Sequence, residues 1–146
     1  NEEDLKIIDE AIQIMDLDEL KNKFINELSG GQSQRAFLAM TIAQNTNILL
    51  LDEPTTFLDI NYQIKFLESL KSLIQIKNIS IMTVLHDVNL VARFCDRIAI
   101  LKEGKLIDIN TPKKVLNKEN FKKGFEIDSY IIDTPVGIQI FPVSKS

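Results

Sequence analysis

Cysteine and histidine are almost absent from this chain, and their scarcity excludes two kinds of site. The 146 residues include one cysteine, Cys95, and one histidine, His86. A single cysteine cannot form an internal disulfide, so a reducing compartment is the expected setting. One cysteine and one histidine cannot complete a zinc site either. Cys95 follows an apolar helical pattern and is expected to be a core residue.

Long apolar runs and an excess of positive charge are also lacking. No hydrophobic stretch approaches the roughly 20 residues that a membrane-spanning helix needs. Residues 1–4 (Asn-Glu-Glu-Asp) are unlike the basic start of a signal peptide. The net charge of −4, from 17 basic and 21 acidic residues, argues against nucleic-acid binding. The remaining composition, 45% hydrophobic and 26% charged, is typical of a globular domain or a large piece of one.

Apolar periodicity predicts an alternation of helices and strands. Helical spacing of apolar residues predicts helices, and short apolar runs predict strands. The predicted helices cover 2–15, 17–24, 33–44, 61–75, 88–94 and a short piece from Thr111-Pro112, with Asp59 and Asp87 as the expected caps of the fourth and fifth. The predicted strands cover 48–51, 79–85, a hairpin of 98–101 and 105–109 that turns at Gly104, and a second hairpin within 131–143. This order is typical of an α/β fold with a parallel sheet.

Two of these segments carry more detailed expectations about burial. The run 48–51 has no polar alternation, so both of its faces are expected to be covered, as in a parallel sheet. In the helix predicted over 33–44, the small and apolar face would consist of Ala36, Ala39, Met40 and Ala43.

Two neighbouring carboxylates follow the first predicted strand. In open parallel sheets, chemistry lies beyond the carboxyl ends of the strands, where Asp52 and Glu53 fall. One carboxylate there could hold Mg²⁺ directly or through water, and the second could orient and deprotonate an attacking water. The alternative is a solvated acidic turn. The buried run before the pair and Pro54-Thr55 after it favour the functional interpretation.

A serine and two glycines precede the helix predicted over 33–44. Paired glycines let a ligand approach the backbone closely, and a helix N-terminus attracts phosphate. Ser29 adds a hydroxyl donor beside Gly30 and Gly31. The alternative is an ordinary capped loop.

The only histidine of the sequence lies between a predicted strand and a predicted helix. A lone histidine is most often structural, but His86 at a strand's carboxyl end could contact a terminal phosphate. A hydrolase triad of Ser29, His86 and Asp87 is disfavoured because Ser29 lacks a nucleophile elbow.

Taken together, these segments resemble the ATP-binding subunits of ABC transporters. Residues 28–32 (LSGGQ), followed by Gln34-Arg35, resemble the signature motif, and residues 48–55 (ILLLDEPT) resemble the Walker B motif with its catalytic glutamate. Residues 57–59 are similar to the D-loop, and His86 stands at the position of the switch histidine. Segments within 85–97, 111–116 and 125–128 resemble the subunits of iron–siderophore, haem and cobalamin importers.

One motif of that family is absent from the sequence. No G-x-x-x-x-G-K-[ST] occurs, since Gly104-Lys105 lacks both the upstream glycine and the following Ser or Thr. The glutamine loop and the adenine-stacking aromatic are also missing, and Met40 stands where the family often has arginine. The chain is therefore expected to be the C-terminal portion of a subunit, without the phosphate-binding half of its own nucleotide site.

The resemblance implies a partial P-loop NTPase-type fold, an α/β parallel sheet with flanking helices that lacks the Walker A strand and loop. Strand 48–51 would pair with strand 79–85, as in the family's sheet. Residues 1–32 would be part of the helical signature subdomain. Residues 33–146 would be the C-terminal part of the ATPase core, ending in a hairpin.

The resemblance also implies roles for individual residues. In the family, two subunits enclose two ATP molecules between them. Residues 29–32 (Ser29, Gly30, Gly31 and Gln32) would face the ATP held by the partner subunit. Asp52 would help hold Mg²⁺, Glu53 would activate water, His86 would sense the γ-phosphate and Asp59 would couple the two sites.

The implied partners would hold the protein at a membrane, although its sequence contains no membrane-spanning segment. They are a second ATPase subunit, identical or not, transmembrane permease subunits and, indirectly, a substrate-binding protein, with the ATPase peripheral on the cytoplasmic side. The implied function is ATP-driven uptake of an iron chelate (siderophore or haem) or cobalamin. Two alternatives are a non-transport ABC ATPase, disfavoured by the lack of coiled-coil or duplicated-cassette insertions, and a non-catalytic fragment that binds a partner.

Overall fold

The computed structural model describes residues 2–143, which fall into two compact units, one ending at Leu85 and one beginning at His86. The helices and strands are, in chain order, α1 (Glu2–Ile14), α2 (Gly30–Ala43), β1 (Ile48–Asp52), α3 (Ile60–Lys77), β2 (Ser80–Val84), α4 (Val88–Phe94), β3 (Ile98–Lys102), β4 (Lys105–Asn110), α5 (Pro112–Val115), α6 (Lys118–Phe125), β5 (Asp128–Thr134) and β6 (Gly137–Val143). Within 2–143, no helix combines the length and apolarity needed to cross a bilayer.

The first unit is built on a parallel strand pair. Strands β1 and β2 align from Ile48 opposite Ser80 to Asp52 opposite Val84, with α3 as the crossover between them. Asp59 caps α3, because its Oδ1 accepts a hydrogen bond from the Tyr62 N–H at 3.0 Å. Parallel pairing through a helix confirms the predicted α/β class and the pairing of 48–51 with 79–85.

The expectation that both faces of β1 are covered is wrong for the described residues. Leu49 and Leu51 are buried, but Ile48 and Leu50 are 64% and 68% exposed. Successive strand residues point to opposite faces, and Leu49 lines a small cavity with Ile42 of α2 and Leu73 of α3. The helices of this unit therefore cover one face of the sheet, and the other face remains apolar and exposed.

Helix α2 begins three residues earlier than predicted and buries a different face. Ser29 and Gln32 form a capping box, in which each side chain binds the other residue's backbone, and this starts the helix at Gly30. The buried residues of α2 are Arg35, Leu38, Ala39 and Ile42, whereas Met40 is 59% exposed. Of the predicted face, Ala39 is buried, while Ala36 and Ala43 are half-buried.

The second unit packs two antiparallel hairpins with three short helices. Both hairpins, β3–β4 and β5–β6, were predicted, as were the Asp87 cap of α4 and the proline at the start of α5. Helix α6 was not predicted, because its sequence KENFKKGF has too few apolar residues for a clear period. The buried cluster consists of Ala92, Ile98, Ile100, Val115, Leu116, Phe121, Ile138 and Ile140. The predicted domain boundary after residue 32 stays a prediction, and the chain ends it includes (residues 1 and 144–146) lie outside the described residues.

Candidate functional site

The predicted phosphate-facing segment is the first turn of α2. The Oγ of Ser29 accepts a hydrogen bond from the Gln32 N–H at 3.3 Å, and Gln32 Oε1 accepts one from the Ser29 N–H at 2.9 Å. Gly30 and Gly31 are thus the first two helical residues and do not precede the helix, which corrects the expectation from sequence. The backbone N–H groups of a first helical turn have no partner within the helix, so this end of α2 can receive an anion.

Neither glycine is required by the local structure. A Cβ atom on Gly30 would meet nothing within 4 Å, and one on Gly31 would lie 3.7 Å from the Phe57 carbonyl oxygen, an ordinary contact. Neither glycine has the positive φ that disfavours other residues. Glycine inside a helix costs roughly 0.5–1 kcal/mol relative to alanine. The residues around Gly30 and Gly31 therefore do not require glycine at these positions, and the two glycines leave the backbone at the start of α2 uncovered by side chains.

The start of α2 lies against the loop that follows β1. Gln34 Nε2 donates a hydrogen bond to the Pro54 carbonyl oxygen at 3.2 Å, and Gly31 lies beside the Phe57 carbonyl. Pro54 and Thr55 are buried. The structure therefore brings the segment 29–32 and the loop after the Asp52-Glu53 pair together within the first unit.

Glu53 occupies a strained position at the carboxyl end of β1. Its φ is 47°, a left-handed conformation that costs a non-glycine residue roughly 1–2 kcal/mol. Its N–H donates to the Val84 carbonyl at 3.1 Å, which continues the parallel pairing by one residue. Thr56 Oγ1 lies 3.2 Å from the Glu53 carbonyl oxygen and 3.3 Å from its Oε2. Such strain persists only where the surroundings hold the residue, and it concentrates at functional sites.

Asp52 offers one carboxylate to a cation, not a complete cage. It is exposed and is the last residue of β1. No group of three or more His, Cys, Asp or Glu side chains within 2–143 is arranged to hold a metal ion. Mg²⁺ typically takes one or two carboxylates and fills its remaining positions with water and phosphate oxygens. The donor set at Asp52 fits that mode of binding.

The loop between Glu53 and α3 is held by the side chain of Gln63. Its Nε2 lies 3.1 Å from the Thr55 carbonyl and 3.0 Å from the Leu58 carbonyl. Asp59 follows this loop and is exposed. The structure therefore assigns Asp59 a local role as the cap of α3, and its predicted coupling role remains a prediction.

Sequence reasoning missed the importance of Arg35, which is 9% exposed. Its Nη1 donates to the carbonyl oxygens of Met15 and Asp16, each at 2.9 Å. The guanidinium carbon also lies 4.4 Å from the centroid of the Tyr62 ring. Arg35 thus joins the end of α1 to α2 and α3. The available signal was a charged residue in helical register with Leu38 and Ile42.

His86 lies in the second unit, directly before the cap of α4. It is exposed. Oδ1 of the next residue, Asp87, accepts hydrogen bonds from the N–H groups of Asn89 at 2.8 Å and Leu90 at 3.1 Å. The structure therefore places the predicted phosphate sensor at the start of a capped helix, as the sequence indicated.

Sequence comparison links the chain to transport proteins. A family model described as "ABC transporter" matches residues 1–56. A petrobactin import ATP-binding protein of Bacillus anthracis is 45% identical over 132 residues, which are 89% of this chain and 48% of that protein. The ferric enterobactin transport ATP-binding protein of Escherichia coli K12 is 40% identical over 134 residues, 92% of this chain and 49% of that protein. The chain thus spans about half the length of the curated relatives it matches.

Solved structures agree with the fold. An ABC transporter in an inward-facing conformation matches with a TM-score of 0.83 at 24% identity, over 99% of this chain and 59% of that one. A dimeric ATP-binding cassette in a post-hydrolysis state, bound to ADP and Pi, matches with a TM-score of 0.61 at 35% identity, over 71% of this chain and 46% of that one. The first match, at 24% identity, shows a similar fold only. The second match is to a cassette that was solved with ADP and Pi bound.

Proposed function

Because this chain belongs to the family of ABC transporter ATP-binding proteins, we propose that it is the C-terminal portion of an ATPase subunit that powers import of an iron chelate. The longer protein is called the complete subunit below. Two relatives whose names state petrobactin import and ferric enterobactin transport support this substrate class. The observation that carries the proposal is the open glycine pair at the start of α2, packed beside the loop after a strained glutamate.

The start of α2 would receive the γ-phosphate of an ATP molecule held by a second subunit. The Ser29 Oγ accepts the Gln32 N–H through a lone pair, so its own proton can be donated to a phosphate oxygen. The N–H groups of Gly30 and Gly31 and the helix dipole would add to this attraction. Gln32 supports the turn through its bond to the Ser29 N–H. The dimeric cassette among the similar structures supports an arrangement of two subunits.

Asp52 and Glu53 would serve the nucleotide of their own subunit. Asp52 would contribute one carboxylate to a Mg²⁺ ion, which neutralises phosphate charge when bound. Glu53 would accept a proton from the attacking water as the oxygen of that water bonds to the γ-phosphorus and the bond to ADP breaks. The left-handed backbone at Glu53 and the contact with Thr56 restrict where its carboxylate can lie.

His86 and Asp59 complete the proposed set of site residues. His86 would contact the γ-phosphate, and Asp59 would transmit the state of one site to the other. The implied partners are a second ATPase subunit and transmembrane permease subunits, with a substrate-binding protein acting through the permease. The complete subunit would lie peripherally on the cytoplasmic side of the membrane, and its ATP-driven closure would move the permease.

The substitution Glu53→Gln in the complete subunit tests this function. It keeps the side chain's size and removes the base, so turnover should fall about 10²–10⁴-fold while ATP binding persists. Glu103→Gln is a matched control, since Glu103 also has a left-handed backbone, with φ of 49°, but lies in the β3–β4 turn. Steady-state ATPase activity and nucleotide affinity are measured for both variants. A wild-type rate for Glu53→Gln would refute the role of Glu53 as the base.

A further inference from the structure

The side-chain amide of Asn89 binds both backbone groups of one residue in the C-terminal hairpin. The Ile140 N–H donates to Asn89 Oδ1 at 2.7 Å, and Asn89 Nδ2 donates to the Ile140 carbonyl oxygen at 3.3 Å. Ile140 is 1% exposed, so water cannot readily replace these bonds. The Asn89 amide thus pairs with the backbone N–H and C=O of Ile140, as a neighbouring strand would do in a larger sheet.

The geometry of the hairpin explains why Ile140 is available for this contact. In an antiparallel pair, alternate residues direct their N–H and C=O groups away from the partner strand. Ile140 is opposite Ile131 in the register of β5 and β6, and its own groups bind Asn89. Gly137 lies close to the other end of α4, since a Cβ atom built on it would be 3.8 Å from the Ala92 carbonyl oxygen. The hairpin therefore lies against α4 near both ends of the helix, and Asn89 bonds to it near the first.

Asn89 also belongs to the turn that begins at His86. Its N–H is one of the two that Asp87 Oδ1 accepts, so Asn89 is bound through its backbone to the cap and through its side chain to β6. His86 immediately precedes that cap. A shift of Asn89 relative to β6 would therefore displace the capped turn and the backbone of His86 with it.

We propose that Asn89 is a positioning residue for His86, and that the β5–β6 hairpin is the support to which it fastens the His86 turn. This inference rests on the proposed role of His86 in ATP hydrolysis. It assigns the C-terminal hairpin a part in the reaction although none of the proposed site residues belongs to the hairpin. Misplacement of His86 would slow turnover more than it weakens ATP binding, because the other proposed phosphate contacts are made by other segments.

The test uses the complete subunit and measures kcat and the KM for ATP. Asn89→Leu removes both bonds to Ile140. Asn89→Asp keeps the acceptor for the Ile140 N–H but sets a carboxylate oxygen, which cannot donate, against the Ile140 carbonyl oxygen. We expect kcat to fall about tenfold for Asn89→Leu, within the roughly 10²-fold that a displacement of 1 Å can cost, with KM nearly unchanged. Asn89→Asp should also lower kcat with KM nearly unchanged, because it loses the bond to the Ile140 carbonyl oxygen.

A matched control separates positioning from loss of stability. Asn117 also binds backbone at two places in the second unit, where its Oδ1 accepts the Asn120 N–H and its Nδ2 donates to the Lys114 carbonyl, each at 2.9 Å. Asn117→Leu should lower thermal stability and leave kcat unchanged below the transition. If Asn117→Leu and Asn89→Leu lower kcat equally for an equal loss of stability, the positioning role of Asn89 is overturned.

A double-mutant cycle with His86→Ala separates this inference from the function on which it rests. If the inference holds, Asn89→Leu lowers kcat in the wild type and causes no further fall in the His86→Ala background. If His86→Ala is fully active, the proposed role of His86 fails and the inference fails with it. If His86→Ala is impaired but Asn89→Leu and Asn89→Asp keep the wild-type kcat, the inference alone is refuted.

Discussion

Replacing Gly30 by aspartate should raise the stability of the subunit and lower its ATPase activity. Stability depends on the atoms around Gly30 in its own chain, whereas activity depends on the ATP that the second subunit would hold against it. Within its own chain, position 30 is exposed and has a helical backbone, and a Cβ atom there would have no neighbouring atom within 4 Å. Aspartate therefore meets no steric obstacle there. In the proposed dimer, however, the new carboxylate would face the γ-phosphate held by the second subunit.

The expected gain in stability follows from two known effects. Replacing glycine at a position with an ordinary backbone restricts the unfolded chain and stabilises by about 0.4–1 kcal/mol. A negative charge in the first turn of a helix adds about 0.3–1 kcal/mol. A total near 1 kcal/mol should raise the Tm of a subunit about twice as long as this chain by roughly 2 °C. Gly30→Ala should show the first effect without the second.

The assay pairs thermal unfolding with ATPase activity in the complete subunit. Gly30→Asp should raise the Tm and cripple hydrolysis, while nucleotide binding by the same subunit persists. In a mixed dimer, the loss should fall on the site whose phosphate-binding loop belongs to the other subunit. A lower Tm would refute the steric argument from the structure. Equal damage at both sites of the mixed dimer would refute the arrangement of the two subunits.

Three further predictions concern the chain itself and its buried arginine. The isolated 146-residue chain lacks a phosphate loop and should not bind Mg-ATP tightly, and micromolar affinity by isothermal titration would contradict this. The same chain should be insoluble or loosely folded, because Leu50 is 68% exposed and Met82 is 70% exposed on an apolar face of the sheet. Cooperative unfolding of a soluble monomer with dispersed amide NMR signals would contradict this expectation. Arg35→Met in the complete subunit removes two hydrogen bonds from a charged donor. The free energy of unfolding, measured by urea denaturation, should fall by about 3 kcal/mol. An unchanged midpoint would show that these bonds contribute little.

The sequence predicted the elements whose signals are local. Asp59 and Asp87 were identified as helix caps, Pro112 as a helix start and Gly104 as part of a hairpin turn, since each depends on the backbone of a few adjacent residues. Apolar periodicity places the start of α2 three residues too late, because the turn that Ser29 and Gln32 begin is held by polar bonds, whose spacing is that of a capping box.

Features that depend on distant contacts were not predictable in the same way. The exposure of Leu50 depends on what lies over its face of the sheet, which the apolar run 48–51 cannot reveal. The bond between Asn89 and Ile140 joins residues 51 positions apart, and asparagine in a short helix gives no sign of a distant partner. The left-handed backbone of Glu53 likewise follows from its place between Val84 and Thr56.

The setting of Arg35 has a consequence for the response to ionic strength. Its closest contacts are two carbonyl oxygens and an aromatic ring, and the carboxylate of Asp16 is 3.9 Å away and largely exposed. Dissolved ions screen exposed charge pairs such as Lys113 with Asp133, but they reach a buried guanidinium bound to carbonyl dipoles much less. Raising the salt concentration should therefore weaken exposed pairs such as Lys113 with Asp133 more than it weakens the contacts that Arg35 makes with the end of α1 and with α3.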